Sequence, residues 1–550
     1  MRPDAVIVGS GAGGAAAAFA LTRGGLHVLL LEAGPRFVPA RDYPLDTPDW
    51  ERRPFPALPG SRARIRYGDL GRLDPADAAL QSWNAVEGRA PLADRRTPSR
   101  SGYAHVQGVG GSTLHYVGEA HRLHPASFRL ARDHGTGADW PLDYADLEPW
   151  YLEAERRIGV AGPSEDDTRW RSAPYPLPAH PLSPAAQRLV QAGTGLGLPF
   201  TANARAALSR PRDGRPACNY CGQCSRGCPL GDKGSADVTF LRQAGETGRL
   251  TLLPEARVTR IEAARDGRVA AVHYHHAGTA HRQETPVLVL SAGAVQTPRL
   301  LLASASAAQP EGVANGSGEV GRNFMETLGW TSTALLPGLA NSHMGLPADA
   351  VCWAESAPDG VPGVVGGCRY TSAVQEIGLT GPAAYATRLL SGFGTGFKAR
   401  LRAVFGSAIS VSATGAVLPD ARSRVTLSTE ETDFDGVPLP VIHSVLTGNS
   451  LTLLRHMAET ARRLLRATGA GEPVEEYGSW DRFTATHVFG TARMGTDSAT
   501  AVTDAHGRSF DHPNLWIADA SVFPGSGGGE APSLTIQALA LRQGARILGG

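Results

Sequence analysis

The sequence predicts an α/β protein built from a parallel strand–helix–strand unit and a separate, mostly antiparallel sheet. Three observations carry this. Ala5-Val-Ile-Val8 is an apolar run that stops at the turn Gly9-Ser-Gly-Ala-Gly-Gly14, after which the chain is alanine-rich. Val287-Leu-Val-Leu-Ser-Ala-Gly293 is a continuous apolar run ending at a turn, the pattern of a strand buried on both faces of a parallel sheet. Residues 325–445 are strand-like and turn-rich with few helical stripes, which suits antiparallel pairing.

In chain order, the opening predicts a strand over 5–8, a helix over 15–23 and a second strand over 27–31 ending at Glu32. Residues 35 to about 100 are rich in Pro and Arg without periodicity and predict a long surface loop with short helices. A second glycine block spans 108–118, and four of the six cysteines fall within 218–228. Helices are predicted from Pro298 to Ser304 and, amphipathic, over 451–467. In a last helix Leu534, Ala538, Leu541, Ala545 and Leu548 share one face.

Composition excludes several classes. A chain with 42% hydrophobic and 19% charged residues is not disordered. Its 53 basic and 52 acidic residues leave a formal charge of +1, so no global field draws in nucleic acid or an anionic membrane. Lys233 and Lys398 are the only lysines; the arginine excess reads as a GC-rich genome, not a phosphate-binding surface. No run reaches the ~18 apolar residues of a membrane span. The first apolar run enters glycines, not a cleavage site, so no signal peptide is expected. The expected location is cytoplasmic, with export alongside a partner as the alternative. Six cysteines in 550 residues are too few for a disulfide scaffold.

Gly9-x-Gly11-x-x-Gly14 follows a strand and opens a helix, with Glu32 at the end of the next strand. Gly9 allows the tight turn, Gly11 lets the backbone approach a pyrophosphate, and Gly14 lets helix and strand pack closely. The helix N-terminus offers free N–H groups and partial positive charge to phosphates. Glu32 would accept ribose hydroxyls and disfavours a 2′-phosphate. This is a dinucleotide-binding fingerprint.

Cys218-x2-Cys221-x2-Cys224-x3-Cys228-Pro229 has the spacing of bacterial ferredoxin ligands. An iron–sulphur centre, with three or four irons, is one reading. A cluster-free loop of buried thiols is another, and zinc is a weaker third because C-x2-C pairs in zinc sites normally lie farther apart.

Four motifs resemble one family. Gly108-Val-Gly-Gly-Ser-Thr-Leu-His-Tyr116, Ser291-Ala-Gly-Ala-Val-Gln-Thr-Pro-Arg-Leu-Leu-Leu302, His487-Val-Phe-Gly-Thr-Ala-Arg-Met-Gly495 and Asn514-Leu-Trp-Ile-Ala-Asp-Ala-Ser-Val-Phe-Pro524 are similar, in order, to segments of the glucose–methanol–choline (GMC) oxidoreductases. The resemblance implies a doubly wound, Rossmann-type FAD-binding domain over 1–312, with loop or lid insertions at 35–100 and 150–205. It implies a mostly antiparallel substrate domain over 313–480, and a return to the FAD domain over 481–550.

It also implies cofactor contacts. Gly110, Gly111 and Ser112 would pass close to flavin and pyrophosphate, where a missing Cβ permits approach. Val258 would meet adenine through its backbone, and Asp519 and Ala520 would sit beside the ribityl and pyrophosphate. Pro532 would open a helix whose N-terminus faces the flavin N1/C2=O edge. His115 has the spacing of the histidine that carries covalent FAD in some members; non-covalent FAD is the expectation here and covalent attachment the alternative.

His487 matches the family's catalytic base, and histidine suits that work because its pKa lies near neutrality. The usual second His or Asn is replaced by Ala531, whose side chain exchanges no proton. Either His487 acts alone, or Glu530 substitutes, or the redox chemistry is altered; Glu530 reads first as a solvated turn carboxylate. Cys218, Cys224 and Cys228 resemble the cluster ligands of the bacterial FAD-dependent glucose dehydrogenase catalytic subunit, while long-chain alcohol oxidases carry cysteine-rich segments here without one.

The expected function is hydride transfer from the CH–OH of an alcohol or sugar to FAD. Electrons would leave to a non-NAD acceptor, such as a cytochrome or small subunit. An O2-using oxidase and a hydroxynitrile-type lyase are the alternatives.

Overall fold

The computed structural model describes residues 2–43, 66–67, 105–164, 169–479 and 487–549. The loop expected over 35–100 lies mostly outside them, as does the domain boundary expected at 480–481.

Five parallel strands form the central sheet, in the order Leu515–Ile517, Leu288–Leu290, Ala5–Val8, Val28–Leu31 and Leu250–Leu253. Val6 pairs with Leu288 on one side and Leu29 on the other. Apolar side chains at almost every position suit strands covered on both faces; Ala5, Val6, Ile7, Leu288, Val289 and Leu290 are all buried. The sheet thus gathers four distant stretches of chain.

The helix Ala12–Arg23 begins three residues before the sequence suggests. It packs against the helix Ser533–Gly549. Small residues set that approach, since a Cβ on Gly544 would meet Ala20 Cβ at 2.5 Å. The apolar stripe expected on the last helix holds at Leu534, Ala538 and Leu541, but Ala545 and Leu548 are exposed where the helix runs past its neighbours.

The helix expected from Pro298 starts instead at Gly293 and runs to Ala303, with Pro298 inside it. A proline there has no N–H to give the carbonyl four residues earlier. Thr491 Oγ1 donates to that carbonyl, Ala294 O, at 2.8 Å. A hydroxyl from the C-terminal motif therefore completes a turn the proline leaves open.

The antiparallel expectation holds. Six strands run in the order Glu475–Gly478, Leu328–Leu335, Ala408–Gly415, Cys368–Ser372, Ala350–Cys352 and Thr201–Ala202, every neighbour antiparallel. The helix Gly448–Ala467 covers this sheet with Leu453, Leu454, Met457, Ala461 and Leu464. Thr447 caps it by accepting the Ser450 N–H at 3.2 Å.

The 150–205 stretch, expected as a loop or lid insertion, is integrated into the body. The helix Tyr144–Ile158 packs on the last helix, and Pro184–Gly195 packs on Gly448–Ala467. Thr201–Ala202 then supplies an edge strand. Its apolar stripe, with Ala185, Ala186 and Leu189 buried, requires such a partner.

Candidate active site

A cavity of about 560 Å³ opens at the carboxyl ends of the parallel strands, where Val8 and Gly9, Leu31 and Glu32, and Ser291 reach its wall. Open α/β sheets bind ligands at this edge because the loops diverge there. Three helices begin on it: Gly11 and Ala12 open one, Gly293 and Ala294 a second, Pro532 and Ser533 a third. None carries an acidic residue in its first turn; the Asp519 carboxylate meets the second N-terminus from the C-terminal motif, and the other two keep their affinity for an anion.

The glycines fit a closely approaching ligand. Gly111, at φ +55°, would place a Cβ 2.7 Å from Gly11 Cα, so the two glycine loops touch. A Cβ on Gly14 would strike the Gly9 carbonyl, and one on Gly13 the Ala518 carbonyl. Gly9, Gly11 and Gly111 line the cavity; Gly14 and Gly110 are packed behind it. Ser10, which sequence reasoning passes over, joins the parts. Its N–H and hydroxyl donate to Glu32 Oε2 at 2.9 and 2.6 Å, and its Oγ accepts the Gly110 N–H at 3.0 Å. Gly34 N–H reaches Glu32 Oε1 at 3.0 Å. Burial raises the Glu32 pKa against these donors.

Asp519 accepts the Gly293 N–H at 2.9 Å, Thr297 Oγ1 at 2.6 Å and the Ser521 N–H at 2.8 Å. It fastens the second glycine-led helix to the C-terminal motif, and burial raises its pKa. Ser112, His115, Val258, Ala520 and Pro532 also line the cavity. Beyond Val258 the wall is completed by Gln296, Arg299, Asp433 and Asp435, none of them predicted. Asp435 accepts from Arg257 and His275 at 2.7 and 2.6 Å. Gln296 Nε2 is a buried donor with no partner among the described residues. The hairpin Arg424–Thr432 and Pro438–His443, assigned to the substrate domain by the sequence, carries those aspartates to the cavity wall.

At the opposite end stand His487, Ala531, Arg369, Glu119, Glu376 and Thr414. A short antiparallel pair, Met325–Glu326 with Val488–Phe489, sets the backbone of His487, whose carbonyl accepts the Thr327 N–H at 3.1 Å. Burial pushes the His487 imidazole down to about 4, with Arg369 adding to the shift and Glu119 opposing it. It is neutral at pH 7 and able to accept a proton.

Ala531 is not surrounded by inert groups. Its N–H donates to His121 Nδ1 at 3.1 Å, and His121 Nε2 meets Asn203 Oδ1 at 2.8 Å. Asn203 Nδ2 donates to Glu119 Oε1 at 2.8 Å. Glu119 receives both Arg369 terminal nitrogens at 2.6 Å, and Arg369 Nε donates to the Gly529 carbonyl at 2.5 Å. Burial alone would raise the Glu119 pKa; Arg369 overrides that and holds the carboxyl well below the usual carboxylate range. No sequence signal picks these residues out, because the motif shows only that a side chain is missing.

Glu530 corrects the solvated reading. It is fully buried, paired with Arg169, and accepts the His124 and Gly528 N–H groups at 3.1 and 2.6 Å. It does not line the cavity. A carboxylate committed to a buried guanidinium has no path to a substrate proton.

The four cysteines are free thiols. Among the described residues no three His, Cys, Asp or Glu are grouped to hold a metal. Cys228 Sγ donates to Asp232 Oδ1 at 2.8 Å, and burial with Asp232 pushes its thiol up to about 12. Burial likewise raises Cys218, Cys221 and Cys224. A cluster needs converging thiolates; these side chains do not fit it as arranged. The loop is tied to the second glycine block by Lys233, which is buried and donates to the carbonyls of Leu114, Tyr116 and Cys224 at 2.8, 3.0 and 2.7 Å.

His487 thus lines the same cavity as the glycine loops at the ends of the parallel strands, an arrangement that suits an oxidoreductase of the Rossmann-type class. The chain belongs to the GMC oxidoreductase family: its residues 107–328 and 419–540 match the two family models, and 7–46 match an NAD(P)-binding Rossmann-like domain. It is 32% identical to 6‴-hydroxyparomomycin C oxidase of Streptomyces lividus, over 98% of this chain and 90% of that one. It is 28% identical to the fructose dehydrogenase large subunit of Gluconobacter japonicus, over 100% and 98%. The 2-methyl-1,2-propanediol dehydrogenase of Mycolicibacterium austroafricanum is also 28% identical, over 99% and 94%. The fold matches pyridoxine 4-oxidase from Mesorbium loti with a TM-score of 0.66 at 20% identity, covering 100% and 99% of the two chains. Among the described residues no helix is long and apolar enough to cross a membrane.

Proposed function

We propose that the protein oxidises the CH–OH group of an alcohol or sugar, with His487 as the base and non-covalently bound FAD as the hydride acceptor. The observation that supports this is that His487 lines the same cavity as Gly9, Gly11, Glu32 and Gly111 of the dinucleotide fingerprint and second glycine loop. The relatives named above act on a sugar, an aminoglycoside and a diol, and all three substrates carry CH–OH groups.

The residues fit FAD. Touching Gly11 and Gly111, the helix N-termini at Ala12 and Ser533, and Gln296 Nε2, unpartnered among the described residues, suit a long, anionic, hydrogen-bonding ligand. Gly9, Gly11 and the adjoining helix N-terminus would hold the pyrophosphate, Glu32 the ribose, and the Val258 strand the adenine. Bound there, FAD supplies the electrophilic ring position that receives hydride.

The protein does the rest. His487 accepts the hydroxyl proton on its ring nitrogen. Arg369, with its two inner N–H groups spent on Glu119, keeps an outer N–H on each terminal nitrogen. These can donate to the substrate oxygen and favour its anionic form, a function that the side chain missing at Ala531 would otherwise share. Glu119 holds the guanidinium in place through the bidentate contact. His115 is neutral, pushed down to about 4 by burial and by Lys233 and His105. Electrons then pass to an acceptor other than NAD, either an external carrier or O2.

Anaerobic mixing of the FAD-loaded protein with a panel of sugars, polyols and aliphatic alcohols, followed at the flavin absorbance and then with a dye acceptor, tests this. Bleaching by at least one alcohol with aldehyde or ketone formation is expected. No bleaching by any alcohol, with benzaldehyde and cyanide released from added mandelonitrile, would overturn oxidation in favour of the lyase chemistry.

A further inference from the structure

One carboxylate in the cavity has no function in the reaction just described. Glu376 lines the wall beside Arg369, Glu119 and Thr414. Among the described residues it makes no hydrogen bond or ion pair. Its backbone is nonetheless fixed: Ile377 N–H donates to Ala373 O at 3.0 Å and Gly378 N–H to Gln375 O at 3.1 Å. Gln375 Nε2 anchors the turn to the carbonyls of Ser342 and Met344 at 2.9 and 2.7 Å. The turn is rigid, and only the Glu376 side chain is left for the cavity.

The nearby cations are already committed. Arg369 is matched by Glu119. Arg205, the other guanidinium that acts on Glu376, is buried and donates to the Val117 and Ala348 carbonyls. Arg369 and Arg205 thus act on Glu376 only through space, and a cavity-facing carboxylate with no hydrogen-bonded cation is better stabilised when the ligand brings one.

We propose that Glu376 binds a protonated amine of the substrate, so that amino alcohols, amino sugars among them, are preferred over neutral alcohols of the same shape. This rests on the alcohol-oxidising reading above and specifies its substrate class. Burial and the repulsion of Glu119 push the Glu376 carboxyl up to about 7. The isolated site therefore gives up its proton reluctantly, and an ammonium group would favour the ionised form. His487 would act on the hydroxyl and Glu376 would hold the cation, both from the wall of one cavity.

The test uses matched probes on the FAD-loaded enzyme: D-glucosamine against D-glucose, and 1,3-diaminopropan-2-ol against glycerol, with n-butylamine as a non-alcohol ligand. The amine member of a pair should reduce the flavin with kcat/KM ~10-fold or more above its neutral partner, the scale of a charge-assisted contact. Glu376→Gln should abolish that preference through KM, so that kcat/KM falls ~10-fold or more further for the amine than for its neutral partner, and lose n-butylamine binding measured by calorimetry. Glu376→Asp should retain part of the preference. Neutral alcohols reducing the flavin with no advantage for amines would overturn the inference while leaving the function standing. Equal loss on both classes in Glu376→Gln would overturn it too, as a structural effect. If no alcohol reduces the flavin, the functional reading fails; n-butylamine binding that depends on Glu376 would then still support the amine site, and its absence would overturn it.

Discussion

His121 Nδ1 accepts the backbone N–H of Ala531 at 3.1 Å, so the position that lacks a catalytic side chain is fixed through its main chain. Because Nδ1 is the acceptor, the ring proton sits on Nε2 and points to Asn203 Oδ1. A neutral imidazole is required there.

That requirement sets an acid limit. Burial pushes the His121 pKa down to about 3 against the pull of Glu119, whereas the unfolded residue titrates near ~6.5. Between these values the unfolded chain binds the proton and the folded one does not, so stability is complete above the upper value and declines as pH falls toward the lower. The loss is up to ~1.4 kcal/mol per pH unit from this residue. Denaturant melts of wild type and His121→Phe between pH 7 and 4 should show it, the variant having a shallower slope. At pH 7 the variant should be ~1–3 kcal/mol less stable, since the Ala531 N–H loses its acceptor.

His487→Ala should keep FAD and lose ~10²-fold or more in the rate of flavin reduction, the scale of a general base. With the imidazole at about 4, wild-type kcat/KM on a neutral alcohol, which makes no demand on the ionisation of Glu376, should be flat through neutrality and fall only in acid. Stopped-flow reduction across pH reads both. A variant reducing flavin at the parental rate would remove His487 from the chemistry.

Glu530→Gln leaves the Arg169 guanidinium buried without its counter-charge. A loss of ~3–5 kcal/mol is expected, as for other broken buried pairs. Flavin reduction per folded molecule should change little, because Glu530 does not reach the cavity. Chemical denaturation and active-site titration separate the two effects.

Gly111→Ala would force a Cβ to within 2.7 Å of Gly11 Cα at a positive φ. The two loops would have to part, and the flavin-to-protein absorbance ratio of purified protein should drop several-fold. Retention of full FAD content would show that the loops do not enclose the cofactor.

Acid precipitation of the loaded protein should release yellow FAD to the supernatant, the expectation for non-covalent binding, although His115 lines the cavity as a neutral imidazole. Colour retained in the pellet and lost in His115→Ala would reverse this.

The parallel sheet was readable because its strands are almost wholly apolar and end at glycines, a pattern with few other solutions. The antiparallel sheet was readable only as a class, since strand order depends on pairings between distant segments. The start of the Gly293–Ala303 helix was missed because its proline is tolerated only through Thr491, nearly two hundred residues away. Glu530 was misplaced for a similar reason: its partner Arg169 lies far off in sequence, so nothing local marks it as buried. Arg369, Glu119 and Glu376 surround the candidate reaction centre but belong to no motif, and only the folded chain brings them together.

The strand Leu515–Ile517 lies at one edge of the parallel sheet, against Leu288–Leu290, and this has a consequence for biosynthesis. Leu515 follows Leu290 by 225 positions, so at ribosomal rates of ~5–20 residues per second the inner strand waits roughly 10–45 s for its neighbour. Throughout that interval the nascent chain carries an apolar strand with unpaired backbone groups, which is the kind of edge that recruits other strands. The cofactor-binding unit therefore closes only after almost the whole polypeptide has emerged. Chaperone capacity during translation, more than stability of the finished enzyme, should set the yield of folded protein.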